Sequence, residues 1–134
     1  MKPTPDLYEV LYLSTMAPDV PISVVADITR KARLGNAAQN ISGLLIFDGL
    51  RFCEQAEGAQ QDIAALMERI KRDPRHIDIK VLHHGPLEKR RFTRFSMGYA
   101  EVEDPDVLSQ LAPLRGQGAL DALAALLPTL DLDT

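Results

Sequence analysis

The chain has 134 residues, of which 46% are apolar, enough for one packed domain and too few for two ordinary ones. Its net charge of −4 gives no electrostatic case for binding nucleic acid, and no segment approaches the roughly 20 apolar residues that span a bilayer. A single cysteine, Cys53, excludes an intramolecular disulfide, and residues 1–6 show no signal peptide. We therefore expect a cytoplasmic protein that binds neither nucleic acid nor membrane.

The first half of the chain predicts one helix among three strands. Apolar runs predict the strands at residues 7–14, 41–47 and 51–57. The helix is expected from Pro21 to about Leu34, with Ser23 as N-cap and with Gly35-Asn36 closing it in the left-handed conformation. Asp48-Gly49 is a turn signal, so the second and third strands should form a hairpin.

The second half adds a helix and two strands. The helix is expected over residues 58–72, a fourth strand over 77–83 and a fifth over 91–102. In the fifth strand, Phe95 and Met97 should share a face. The order β-α-β-β-α-β-β predicts an α+β, ferredoxin-like sheet with two helices on one face.

Residues 104–134 differ in composition and predict two short C-terminal helices, at about 104–111 and 118–127. We accordingly divide the chain into a main domain, residues 1–102, and a helical extension, residues 103–134. The apolar face of the second short helix is made of Leu120, Leu123, Leu126 and Leu127. That face could cover the outer side of the sheet or pack across a two-fold axis, and we expect a homodimer.

No pattern in the sequence predicts catalysis. The serines lack the Gly-x-Ser-x-Gly context of a hydrolase nucleophile, and the three histidines are not spaced as metal ligands. We therefore expect neither an enzyme nor a metal site. A small acylphosphatase-like enzyme on a similar sheet would need an anion-binding loop at a helix N-terminus, and no Gly-rich loop of that kind is present.

Strand alternation places Glu54 on the same face of its strand as Phe52 and Ala56. If the helices cover this face, Glu54 lies inside the protein near Tyr12, and a carboxylate there needs a partner. From the residues alone, the favoured interpretation is that Glu54 lies at a solvent edge or pairs with Arg30 or Arg33, because glutamate is rarely fully buried.

Four short blocks, taken together and in order, resemble the BLUF domains, blue-light sensors that bind a flavin. The blocks are Leu11-Tyr12-Leu13-Ser14, Gly35-Asn36 with Ile41-Ser42-Gly43-Leu44-Leu45, Arg51-Phe52 with Glu57-Gly58, and Arg90-Arg91-Phe92 with Phe95-Ser96-Met97-Gly98. The resemblance covers about two thirds of the chain. It implies a photoreceptor that binds FAD between the two helices and signals to an unidentified downstream protein partner.

The resemblance also implies a set of flavin-contacting residues. They are Tyr12, Ile28, Asn36, Phe52, Glu54, Ile70, Arg75, His76 and Met97. In the family, the asparagine bonds the pyrimidine edge of the flavin, the Arg-His pair reaches toward its tail, and the apolar residues enclose its ring. Taken alone, each residue is more simply explained by packing or by solvent exposure.

Position 54 departs from the family pattern, which has a glutamine beside the flavin. In the family's scheme that amide bridges the tyrosine and the flavin and rearranges its hydrogen bonds after light moves an electron and a proton. An ionised glutamate has acceptors only, whereas a protonated glutamate has one O–H donor. Gln55 cannot simply substitute, because it points to the opposite face unless a bulge shifts the register. In the family, this rearrangement shifts the flavin spectrum to the red. Three outcomes therefore remain open for this chain: an altered photocycle, flavin binding without that red shift, or a flavin-free dimerisation or regulatory module.

Overall fold

The structure is a computed structural model that describes residues 6–134. Five strands form one mixed sheet. The main elements are β1 (Leu7–Met16), α1 (Val24–Ala38), β2 (Ser42–Phe47), β3 (Arg51–Ala59), α2 (Gln60–Arg72), β4 (His76–Leu87) and β5 (Gly98–Glu101). The strand order is β4-β1-β3-β2-β5, and only β2 and β5 run parallel. The predicted ferredoxin-like order is confirmed. Of residues 1–6, where no signal peptide is expected, only Asp6 belongs to the described residues.

Both helices of the main domain pack on the same face of the sheet. From β1 and β3, Val10, Tyr12 and Ala56 pack in one cluster with the apolar stripe of α2. Phe52 packs with Val25 and Ile28 of α1 in a second cluster. The period-two alternation of the strands and the 3.6-residue period of the helices bring these side chains together. The result is an inner layer between the helices and the sheet.

The C-terminal segment covers the opposite face of the sheet. It forms α3 (Asp106–Ser109), α4 (Gly116–Leu126) and a 3-10 turn (Leu127–Thr129). Outward side chains of four strands form one core with these helices, consisting of Leu11, Leu13, Leu44, Ile46, Cys53, Leu82, Phe92, Leu108, Leu111, Ala119, Leu120 and Leu123. The apolar face of α4 is therefore buried within the chain, and it gives no argument for a dimer.

The predicted end of the first helix was wrong. α1 continues through Gly35-Asn36 to Ala38. The residue in the left-handed conformation is Asn40, with φ 54°, and the backbone N–H of Ile41 donates to the carbonyl of Asn36 at 2.8 Å. Gly and Asn tolerate that conformation but do not impose it, so the chain turns four residues later. Ser23 does precede α1, although its side chain makes no capping hydrogen bond.

The predicted fifth strand was too long at its start. Residues 91–97 are irregular, and only Gly98–Glu101 pairs with β2. The backbone N–H groups of Arg91 and Phe92 donate to the carboxylate of Glu57, at 3.1 and 2.7 Å, in place of a strand partner. The irregular path also separates Phe95, in the outer core, from Met97, in the inner one. The prediction that these two residues share a face was therefore wrong.

The other element boundaries differ from the predictions by a few residues. β3 runs two residues further, so α2 starts at Gln60, and β4 extends to Leu87 with two shifts of its register against β1. α3 is a single turn, much shorter than predicted. No helix among residues 6–134 is long and apolar enough to cross a bilayer.

Candidate functional site

A cavity of about 400 Å³ lies between α1 and α2 above the inner face of the sheet. Seven of the nine residues expected to contact the flavin line it, namely Tyr12, Ile28, Asn36, Glu54, Ile70, Arg75 and His76. They come from β1, α1, β3, α2 and the start of β4, which are far apart in sequence. The ferredoxin-like crossovers therefore assemble the expected site residues around one cavity.

Phe52 and Met97, the remaining two, lie behind the cavity wall and do not line it. Both are fully buried and pack in one cluster with Ile28. The Phe52 ring lies 4.9 Å from the ring of His76, which does line the cavity. These two residues thus support the wall from behind.

Tyr12 and Glu54 meet at the base of the cavity. They are opposite each other in the β1–β3 ladder, and the Tyr12 Oη–H donates to Glu54 Oε1 at 2.5 Å. Their exposed fractions are 1% and 3%. The interpretation that Glu54 lies at a solvent edge or pairs with Arg30 or Arg33 was therefore wrong. Arg30 instead pairs with Asp27, and Arg33 donates to the carbonyl of Met97.

Burial favours the neutral form of both groups in this pair. It raises the pKa of the Glu54 carboxyl above its ordinary 4.5, even though the Tyr12 hydrogen bond and the charge of Arg69 act in the opposite direction. Burial, reinforced by Glu54, also raises the pKa of Tyr12 well above its ordinary value. Both groups are thus biased toward their neutral forms. In a neutral Glu54 whose Oε1 accepts from Tyr12, the proton on Oε2 is a donor.

Asn36 lies at the opposite side of the cavity, inside α1. Its Nδ2 donates to the backbone carbonyl of Ser96 at 3.1 Å. That bond fixes which way the amide points. The side-chain oxygen is therefore the atom left to accept a hydrogen bond from a ligand.

Arg75 and His76 form the third side of the site, between α2 and β4. Arg75 donates to the Asp73 carboxylate at 2.7–3.1 Å and lies 3.5 Å from Asp27 of α1. His76 shares a hydrogen bond of 2.9 Å with the Ser14 hydroxyl, and burial lowers its pKa. Arg75 is thus held at the rim as a fixed cation, and His76 is biased toward the neutral imidazole.

Several lining residues were not found from the sequence. α1 contributes Lys31, Ala32, Gly35 and Ala38, and its C-cap contributes Gln39. The others are Leu45 of β2, Leu66 and Arg69 of α2, and Asp73 at the C-terminus of α2. Most lie three, four or seven residues from Ile28 or Ile70, so helical periodicity applied to those two residues would have found them. Arg69 donates to Gln39 at 3.0 Å and so joins α2 to α1 across the mouth.

The residues on the other side of β3 form a separate polar network. Gln55 Nε2 donates to Glu9 at 3.1 Å, and Glu9 also binds Arg91. Gln55 thus faces away from the cavity, as the alternation predicted. The part of the chain that the structure describes contains no group of three or more His, Cys, Asp or Glu side chains placed to hold a metal.

Known proteins share the sequence pattern and the fold of this chain. The model of the family described as BLUF, sensors of blue-light using FAD, matches residues 7–98. The photoactivated adenylate cyclase subunit beta of Euglena gracilis is 36% identical over 93 residues, which are 63% of this chain and 11% of that protein. The blue light- and temperature-regulated antirepressor BluF of Escherichia coli (strain K12) is 28% identical over 105 residues, 76% of this chain and 26% of that protein.

A solved structure shows the same fold over nearly the whole chain. The dark-state structure of BlrB, a BLUF protein, has a TM-score of 0.75 at 27% identity and covers 89% of this chain and 92% of that one. The shared region is thus a minor part of the two relatives above and almost all of BlrB. The family match spans well over half of the chain, in the region that forms the cavity. The chain therefore belongs to the BLUF family, the sensors of blue light using FAD.

Proposed function

We propose that this chain is a blue-light photoreceptor that binds FAD in the cavity between α1 and α2 and signals through protein–protein contacts. The observation that carries the proposal is the buried hydrogen bond from Tyr12 to Glu54 at the base of that cavity. The bound flavin would supply absorption of blue light and acceptance of an electron. The chain's own residues would hold it and respond to it.

The residues around the cavity fit a flavin. Ile28, Leu45 and Ile70 give apolar walls for a planar ring system. The free amide oxygen of Asn36 can accept a hydrogen bond from the N–H of the pyrimidine edge. Arg75 and Lys31 lie at the rim, where the phosphates of FAD would leave the cavity. Both are paired with carboxylates, Arg75 with Asp73 and Asp27 and Lys31 with Asp27, so the phosphates would have to share these cations with them. Tyr12, Glu54 and His76 would also contact the flavin, since they line the cavity. Phe52 and Met97 would support its wall from behind.

Neutral Glu54 fits this site and ionised Glu54 does not. In both forms Oε1 accepts from Tyr12, but in a carboxylate Oε2 would turn an acceptor toward acceptor atoms of the flavin, whereas in the acid Oε2 offers one O–H. An amide would offer two N–H donors from the same position. We therefore propose flavin binding with a photocycle altered at this residue, in preference to a flavin-free regulatory module, because the cavity and its polar rim are present.

The wider organisation is also a proposal. Residues 1–102 would bind the flavin, 103–134 would form a helical extension on the outer sheet face, and the chain would act without catalysis of its own on a downstream protein. The antirepressor among the relatives supports an output through protein contacts. The single free, buried Cys53 fits a reducing cytoplasm. A homodimer stays our proposal for the assembly, on the general frequency of two-fold dimers alone.

Reconstitution tests the proposal. The purified chain is mixed with FAD or, in parallel, with FMN, and excess flavin is removed by gel filtration. We expect the protein fraction to keep the visible flavin band with FAD, and to change its spectrum in blue light. A matched variant, Ile28→Arg, places a charge in the apolar wall and should lose the band. A wild-type protein fraction without flavin absorbance would contradict the proposal.

A further inference from the structure

The chain's C-terminal residues occupy the open edge of the sheet. β5 is an edge strand, and Asp133 pairs with it at Tyr99 through two backbone hydrogen bonds, of 2.8 and 2.7 Å. The segment 130–134 alternates apolar and acidic residues, Leu-Asp-Leu-Asp-Thr. Its leucines pack against the outer core, so the acids are left on the other side of the segment. This C-terminal segment, called the added strand below, is bridged to β5 through that single residue pair.

Arg33 of α1 holds the added strand. Its Nη2 donates to the backbone carbonyl of Asp133 at 2.5 Å and lies 3.5 Å from the Asp133 carboxylate, while its Nε donates to the carbonyl of Met97 at 3.2 Å. The Asp133 side chain is 76% exposed, and exposed ion pairs contribute little. At the edge itself, one residue pair, the Arg33 hydrogen bond and one exposed ion pair hold the segment, and Leu130 and Leu132 add packing on the outer core.

The edge continues into an apolar groove that the segment leaves mostly uncovered. This groove, of about 550 Å³, runs along α1 beside β5, and Asp133 reaches only one part of it. Ile22 and Leu34, two large apolar side chains on its rim, are 65% and 63% exposed. The backbone of Glu101 points to the same edge as that of Tyr99, because successive residues of a strand alternate. Residues 130–134 thus contact only part of this surface.

We propose that the β5 edge and the α1 groove form a docking surface for an extended partner segment that alternates apolar and acidic residues. The C-terminal segment is the intramolecular occupant of this surface and shows the chemistry that it accepts. A partner strand would add to β5 by backbone hydrogen bonds, place a carboxylate on Arg33, and cover the exposed apolar side chains. As an output surface this deepens the proposed function, although docking itself requires neither light nor flavin.

The attachment of the segment is tested on the full chain in the dark by hydrogen exchange at the Tyr99 amide. Asp133→Lys places a cation against Arg33 and should speed that exchange at least tenfold. Asp131→Lys makes the same charge change at an exposed position two residues earlier and should leave the rate unchanged. If Asp133→Lys destabilises the fold, Asp133→Asn removes only the ion pair and should give a smaller increase. Equal Tyr99 rates in wild type and both Asp133 variants would overturn the proposal.

Docking is tested with a fluorescent peptide, Pro-Thr-Leu-Asp-Leu-Asp-Thr, whose anisotropy is followed in the dark. The Asp133→Lys chain should bind it at least tenfold more tightly than wild type, and binding should restore the protection of the Tyr99 amide. The same peptide with its second aspartate changed to lysine should bind at least tenfold more weakly. No binding to Asp133→Lys, or equal binding of the two peptides, would overturn the docking surface. Flavin absorbance recorded on the same samples reports on the proposed function separately.

Discussion

In our proposal Glu54 is neutral and offers one hydrogen-bond donor and an acceptor. A glutamine at this position would offer two donors, the N–H groups of its amide, so Glu54 has one donor fewer. Its Oε1 already accepts from Tyr12, so its single proton is the only donor that it can offer to the cavity. The chemistry at this residue therefore depends on one proton. Two predictions follow from that dependence.

The first prediction concerns the light response. Glu54→Gln supplies the second donor and should create or enlarge a light-induced red shift of the flavin band. Adding Tyr12→Phe to that variant should abolish the shift, because the hydroxyl partner is lost. Gln55→Met, at the neighbouring position on the opposite face, serves as the matched control and should leave the spectrum unchanged. A full shift in wild type that Glu54→Gln does not alter would contradict the assignment.

The second prediction concerns pH. Because burial raises the Glu54 pKa above 4.5, the folded chain holds a proton at pH values where the unfolded chain has lost it. The contribution of Glu54 protonation to the free energy of unfolding is fully present below pH 4.5, and it is lost as the pH rises to the raised pKa of the folded chain. In flavin-free protein, we expect wild type to lose stability relative to Glu54→Gln by up to about 1.4 kcal/mol per pH unit. Urea unfolding across pH measures this, and parallel stability curves for the two proteins would contradict it.

The sequence predicted the position of Glu54 but not its hydrogen-bond partner or its protonation. Strand alternation and the family pattern placed Tyr12 and Glu54 near each other, since both depend on local period and order. The alternative pairing with Arg30 or Arg33 could not be excluded, because which cation faces β3 depends on how α1 packs. The role of Arg33 at the sheet edge likewise depends on contacts with residues far along the chain.

At the scale of elements, the segment between β4 and β5 shows how a buried carboxylate can replace a strand partner. Glu57 is 0% exposed and accepts from the Ser42 hydroxyl and from two backbone N–H groups of residues 91 and 92. The alternation of Phe95, Met97 and Tyr99 predicted a strand, because a periodic pattern carries no information about a side-chain acceptor from β3. The length of β5 was mispredicted for this reason.

The third prediction tests that carboxylate. Glu57→Ala leaves buried N–H groups without an acceptor and should lower the free energy of unfolding by about 2–4 kcal/mol. Glu68→Ala removes an exposed carboxylate on α2 and should change it by less than about 0.5 kcal/mol. Denaturant unfolding compares the two variants with wild type. Equal effects of the two substitutions would show that Glu57 does not hold the segment.

At the scale of the molecule, the C-terminal helices complete the outer core, and the fourth prediction measures their contribution. Leu123 of α4 is fully buried in that core, so Leu123→Ala should cost about 2–5 kcal/mol of stability. Leu34→Ala, also in a helix but at an exposed position, should cost well under 1 kcal/mol. Thermal and denaturant unfolding give both values. A small loss for Leu123→Ala would mean that α4 is not part of the core.

The fifth prediction concerns assembly. Light scattering of the full chain at micromolar concentration should give the mass of a dimer if the proposed two-fold assembly is correct, and a monomer mass would rule it out. A chain ending at Glu103 exposes the leucines of the outer sheet face, and we expect it to aggregate, because that face is now covered by α3 and α4. A truncated chain that remained monodisperse would contradict this.

The sheet between the two layers is one residue thick, and Glu54 and Gln55 are joined by a single peptide bond. One side chain belongs to the cavity and the other to the network of Glu9 and Arg91 on the far side. A backbone shift at that peptide would therefore displace one side chain of the cavity and one side chain of the far network together. The cavity and the network of Glu9 and Arg91 are thus joined through the backbone of β3, without any side chain passing through the sheet.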